Sequence, residues 1–93
     1  MKRKLVLGDE YDDALRQVVM TCLTSLGAEI IARQWGLGGS QIIETTKLTL
    51  GKDVLVVEAE TYVGLSIRGD ARLVDRVAAL VAEHTASAQK PPR

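Results

Sequence analysis

The feature that most constrains this chain is an unbroken two-residue alternation over residues 53–68. One set of alternate positions consists of Leu55, Val57, Ala59, Thr61, Val63, Leu65 and Ile67. Because successive side chains of a β-strand point to opposite faces, this pattern predicts a sheet with one face packed on a core. Strands average about 5–6 residues, so we expect either one bent strand or two strands joined by a turn at residues 60–64.

Two other segments have helical periodicity. In the first, Asp9 is the predicted N-cap and Gly27 the predicted stop. Its apolar positions recur every three or four residues and are Tyr11, Leu15, Val18, Val19, Cys22 and Leu26. The second follows Asp70, with an apolar face made by Leu73, Val74, Val77, Leu80, Val81 and His84. Both patterns predict amphipathic helices that cover one face of a sheet.

The remaining segments are predicted to form strands. Residues 4–7, 28–35 and 41–50 are rich in β-branched or alternating apolar residues. A flexible connection containing Gly36, Gly38, Gly39 and Ser40 separates the last two, and a short Gly51 turn follows. The predicted order is β-α-β-β-β(-β)-α. It indicates an α+β two-layer sandwich with a mostly antiparallel sheet and both helices on one face, related in order to ferredoxin-like architectures.

Length and composition limit the classes of protein. The 93 residues suffice for one domain, which we place at residues 1–86, with a disordered tail at 87–93. A formal net charge of zero gives no general attraction to nucleic acid. The one cysteine, Cys22, excludes an intramolecular disulfide. Because no stretch has the length of a signal-peptide core or a membrane span, we expect a cytoplasmic protein with no membrane partner.

Candidate residues for catalysis or metal binding lack the spacing that such chemistry needs. Cys22 and His84 both fall on apolar helix faces, and the Glu58–Glu60 pair lies beside apolar residues of one strand. The acidic residues from Asp9 to Asp13 suit the positive end of a helix. We therefore expect no catalytic residue, metal or cofactor. An enzyme that uses Glu58, Glu60 or His84 is left as an open alternative.

The sheet face without helices is the predicted functional surface. We expect it to carry Ile31, Arg33, Trp35, Val54, Val56 and Tyr62. Tryptophan and tyrosine are enriched at interfaces, so this set predicts a protein-interaction domain that forms a homodimer through its open sheet face or edge. Contact with a different protein is also compatible with this surface. The alternative function is binding of a small ligand or anion at the same face and the Gly36–Ser40 loop.

Overall fold

A computed structural model describes residues 1–89, which form one five-stranded sheet and two helices. The elements are β1 (Lys2–Gly8), α1 (Asp13–Ser25), β2 (Glu29–Gly38), β3 (Gln41–Leu50), β4 (Asp53–Glu60), β5 (Gly64–Asp70) and α2 (Ala71–Gln89). The sheet order is β1-β5-β4-β3-β2, and every neighbouring pair is antiparallel. The predicted α+β class, order of elements and antiparallel sheet are confirmed.

The long alternation of residues 53–68 forms β4, the central strand of the sheet, and β5, its neighbour on the β1 side. A turn at residues 61–63 separates β4 from β5, so of the two alternatives left open by the sequence the segment forms two strands. Val57 lies opposite Ile67 and Ala59 opposite Leu65, so their side chains share one face. The apolar alternation is continuous because both strands direct these residues to the same core.

Both helices pack on that face and complete a two-layer domain. From α1 the buried side chains are those of Val19, Cys22 and Leu23, and α2 contributes Val74, Val77 and Val81. They form one cluster with buried residues of β3, β4 and β5, which are Leu48, Leu55, Val57, Ala59, Leu65 and Ile67. The core is aliphatic throughout apart from Cys22, as expected for a chain without phenylalanine.

The ends of α1 are set by specific hydrogen bonds. The N-cap is Asp12, whose Oδ1 accepts a hydrogen bond from the backbone N–H of Leu15 at 3.0 Å. The predicted cap, Asp9, instead accepts from the N–H of Tyr11 at 2.7 Å and stabilises the preceding turn. At the other end Gly27 has a φ of +93°, and Ala28 donates back to the Leu23 carbonyl at 3.0 Å, as in a Schellman motif.

The N-cap gives a first testable prediction. Replacing Asp12 by alanine should lower the free energy of unfolding by about 1 kcal/mol, because one N–H of the first helical turn loses its acceptor. Gln17→Ala is the matched control, since Gln17 is exposed in the middle of the same helix. Urea unfolding of both variants measures the difference. Equal stability of the two variants would show that the Asp12 cap contributes nothing.

The connection between β2 and β3 is shorter than the sequence suggests. Gly38 pairs with Gln41, so only Gly39 and Ser40 form the loop, and Gly36 and Gly38 belong to β2. Gly39 has a φ of +63° at the first loop position, which is where a type II′ turn requires glycine. The predicted flexible connection of residues 36–40 is therefore wrong. A tight two-residue turn holds β2 and β3 in a fixed register.

The register of β2 also contains a bulge. Ile30 pairs with Leu48 and Ala32 pairs with Lys47, so Ile31 is an extra residue between two successive pairs. A one-residue insertion reverses the alternation of side chains beyond it. As a result Ile30 and Arg33 point to the same face of the sheet.

The second helix continues beyond the predicted end of the domain. It reaches Gln89, past residue 86, where the predicted tail begins. Residues 90–93 lie outside the described residues.

Candidate functional site

The β2 bulge moves the predicted interface residues to different places. Arg33 lies opposite Thr46 and Trp35 opposite Glu44. Because Thr46 and Glu44 in turn lie opposite Val57 and Ala59 of the core face, both β2 side chains are on the side that bears the helices. The prediction that Arg33 and Trp35 share the open face with Val54 and Val56 is wrong. The extra residue at Ile31 is the physical reason.

Tyr62 is also absent from the open face. It lies in the β4–β5 turn with a φ of +70°, and its backbone N–H donates to Glu10 Oε2 at 2.7 Å. That hydrogen bond ties the turn to the segment before α1. The side chain of Tyr62 is exposed.

The open face mixes charged side chains with neutral and apolar ones. Lys47, Val56 and Arg68 lie in register across three strands, and Val56 is only 8% exposed between the two long side chains. Arg68 Nη2 lies 3.2 Å from Glu58 Oε1. An antiparallel sheet with one solvated face has this polar pattern. The open face therefore carries Val54 and Val56 of the predicted set, without Arg33 and Trp35.

A groove lies instead on the helix side, between α1 and the β2–β3 hairpin. Its volume is about 310 Å³, at the lower end of the range for small-molecule sites. Val57, Ala59 and Leu65 supply its apolar part. Around them lie Arg16 and Met20 from α1 and Arg33, Trp35, Glu44 and Thr46 from the hairpin. The groove exists because the sheet is wider than the layer formed by the two helices.

An ion pair links the two walls of this groove. Arg16 Nη1 donates to Glu44 Oε2 at 2.8 Å, and Arg16 Nη2 donates to the Glu10 carbonyl at 3.0 Å. Arg16 therefore connects α1, β3 and the segment before the helix. By contrast, Arg33 forms no ion pair with the acidic side chains of residues 1–89.

Exposed apolar side chains continue from the groove along the hairpin. We call Ile30, Trp35, Leu37 and Ile42 the hairpin strip. Leu37 lies opposite Ile42, and the exposed fractions of Trp35 and Leu37 are 70% and 67%. Since apolar residues that cluster at a surface mark contact sites more often than scattered ones do, the strip is the candidate contact surface.

The residues considered for catalysis lie on three elements, α1, α2 and β4. Cys22 is buried, and desolvation, with a smaller contribution from the charge of Glu83, raises the pKa of its thiol. A raised pKa lowers the thiolate fraction and hence the reactivity. His84 is exposed on α2, although it follows the buried residues Val77 and Val81 at helical spacing. Glu58 and Glu60 lie on the open sheet face, away from the groove.

The described residues also bear on metal binding and on membrane crossing. Within residues 1–89, no group of three or more histidine, cysteine or acidic side chains is placed to hold a metal ion. Neither helix, over its described length, has the length and apolar character needed to cross a bilayer. No protein-family model, curated protein or solved structure matches the chain.

Sequence reasoning missed Arg16, Met20, Glu44 and Thr46 as groove residues, and Leu37 and Ile42 as exposed contacts. One signal was present in the Gly39-Ser40 dipeptide. If the loop has two residues, Gly38 must pair with Gln41, and counting back places Trp35 opposite Glu44. The contribution of α1 to the groove depends on how the helix lies over the sheet, which has no local sequence signal.

Proposed function

We propose that this chain is a non-catalytic interaction domain that pairs with a second copy of itself along the free edge of β2. The observation that carries the proposal is the edge itself. β2 has ten residues, is hydrogen-bonded to β3 alone and is exposed at nearly every position. The features that protect edge strands from pairing are charges, proline and bulges; in β2 they are Glu29, Arg33 and the bulge at Ile31, and residues 34–38 have none of them. Such an edge is a template for another strand.

Charge favours β2 over the opposite edge. Lys2, Arg3 and Lys4 occupy the exposed half of β1, so two β1 edges would bring like charges together. Pairing of β2 with β1 would leave a free edge at each end and produce an open chain of copies. Pairing of β2 with β2 uses one surface twice and closes at two subunits.

Side-chain chemistry selects the register of that pairing. If the two subunits form one continuous sheet with all helices on the same side, opposed residues of the two β2 strands must point to the same face. A β2 side chain on the helix side must therefore lie opposite a β2 side chain of the partner that is also on the helix side. A two-fold axis at Arg33 would place two guanidinium groups opposite each other. An axis at Gln34 places each Arg33 opposite the partner's Trp35, where a cation can contact an aromatic ring. We therefore centre the dimer on Gln34.

A disulfide cross-link tests this register. In antiparallel pairs, Cα atoms of opposed residues are about 4.5–5.5 Å apart, within the range that a disulfide spans. Gln34→Cys should thus form a covalent dimer in oxidised glutathione, seen on a non-reducing gel. Lys47→Cys is the matched control, because it is exposed on the same face of the interior strand β3. Cross-linking of Gln34→Cys no faster than that of Lys47→Cys would contradict the proposal.

A cytoplasmic location belongs to the same proposal. It is supported by the single cysteine, which is an unpaired buried thiol, as is usual in a reducing compartment. The proposal assigns no catalytic residue and no cofactor, and its partner is a second copy of the chain.

A further inference from the structure

The groove between α1 and the hairpin combines an apolar floor with one uncommitted cation. Its floor residues, Val57 and Ala59 of β4 and Leu65 of β5, belong to the core face of the sheet. Trp35 stands at its outer wall and is largely exposed. The floor residues are at most 8% exposed, so the apolar surface that a ligand removes from water is mainly that of Trp35, and its removal favours binding.

The two arginines of the groove differ in their partners. Arg16 is held by Glu44 and by the Glu10 carbonyl, so its charge is already neutralised by the wall opposite. Arg33 lies across the hairpin from Thr46 and pairs with no acidic group among residues 1–89. Its guanidinium presents donors in a planar fork that matches a carboxylate.

We propose that the groove binds a small amphipathic carboxylate, with its apolar body against Trp35 and its carboxylate at Arg33. The volume of about 310 Å³ accommodates roughly ten water-sized groups, since one water occupies about 30 Å³ in the liquid. An eight-carbon fatty acid is of this size. The site goes beyond self-association, because every group that lines it comes from one chain.

Trp35 makes the proposal directly measurable, because it is the only tryptophan. Titration with octanoate should change its fluorescence and shift the amide NMR signals of Arg33, Thr46 and Val57. A parallel titration with 4-phenylbutyrate distinguishes an aliphatic from an aromatic body, and either result supports the shared carboxylate chemistry. Octanol should bind more weakly than octanoate, since it lacks the charge.

Two arginine variants locate the charge contact. Arg33→Gln should weaken octanoate binding by about fivefold, as expected for loss of an accessible charged pair. Arg76→Gln removes an exposed arginine of α2 and should leave the affinity unchanged. Because Arg33 also faces the partner's Trp35 in the proposed dimer, the titrations are run at a concentration at which sedimentation shows a monomer, so that the two proposals can fail separately. The groove proposal is overturned if neither carboxylate binds, if Arg33→Gln binds octanoate as tightly as the unmodified chain, or if octanol binds equally well.

Discussion

Replacing Leu37 by lysine should weaken the proposed dimer by about a hundredfold. The change occurs twice in a symmetric dimer, and removing a large apolar side chain from a contact costs about 1.4 kcal/mol or more per copy, where each 1.4 kcal/mol is tenfold in affinity. The two lysines also introduce charge into residues 34–38 of the edge, which carry none. Because Leu37 is 67% exposed in the single chain, the substitution should leave the fold intact, which circular dichroism can verify.

Val6→Lys is the control for this experiment. Val6 is an exposed apolar residue on β1, the other edge of the sheet, and its exposed fraction is 52%. Its replacement should leave the dimer dissociation constant unchanged in sedimentation equilibrium. If Val6→Lys dissociates the dimer and Leu37→Lys does not, the contact lies at β1 and the assignment to β2 is wrong.

Replacing Gly64 by alanine should lower the free energy of unfolding by about 3 kcal/mol, since positive-φ strain and forced contacts each cost about 1–3 kcal/mol. Gly64 begins β5 with a φ of +119°, and a Cβ there would lie 2.5 Å from the Gly8 carbonyl oxygen. The contact is with backbone, so no side-chain rotation relieves it. The β1–β5 ladder must move to admit the methyl group.

Gly36→Ala provides the comparison at a glycine without these constraints. No atom lies within 4 Å of a Cβ built at Gly36, so its replacement should change stability by no more than about 0.5 kcal/mol. Urea unfolding monitored by far-ultraviolet circular dichroism gives both values. A Gly64→Ala variant as stable as Gly36→Ala would mean that the close approach of β5 to Gly8 does not constrain the fold.

The parts of the fold that the sequence predicts are those governed by local chemistry. The apolar alternation of residues 53–68 identifies two core strands, and Gly64 lies where the turn ends, as its backbone freedom suggests. Gly27 ends α1 for the same reason. The predicted N-cap of α1, Asp9, lies three residues before the observed one, Asp12. Both residues are aspartates, and aspartate is a favourable N-cap residue at either position. Only the geometry of the preceding turn distinguishes them.

The faces of β2 could not be predicted because alternation gives relative orientation alone. Residues 28–35 alternate in a way that leaves open which set meets the core, and the bulge at Ile31 changes the phase within the strand. Arg33 and Trp35 are both exposed, on the helix side of the sheet. If residues 36–40 are a flexible connection, the register of β2 against β3 is unknown. The observed two-residue turn fixes that register and places Trp35 opposite Glu44, on the helix side.

The groove depends on how α1 lies over the sheet, and no single segment of the sequence determines that placement. Arg16 and Met20 are ordinary residues of an amphipathic helix, and Glu44 and Thr46 are ordinary residues of a strand. They become one site because α1 leaves the helix-facing side of the hairpin uncovered. Such a site is visible only after the helices are placed on the sheet.

Sedimentation velocity of the unmodified chain over a range of concentrations tests the central claim most directly. Pairing of two copies along β2 predicts that, as concentration rises, the species shifts to twice the 10.1 kDa chain mass and does not grow further, because the β2 edges are then used and the β1 edges repel. A chain that stays at 10.1 kDa up to high micromolar concentration, or that forms an open series of larger species, would contradict the account.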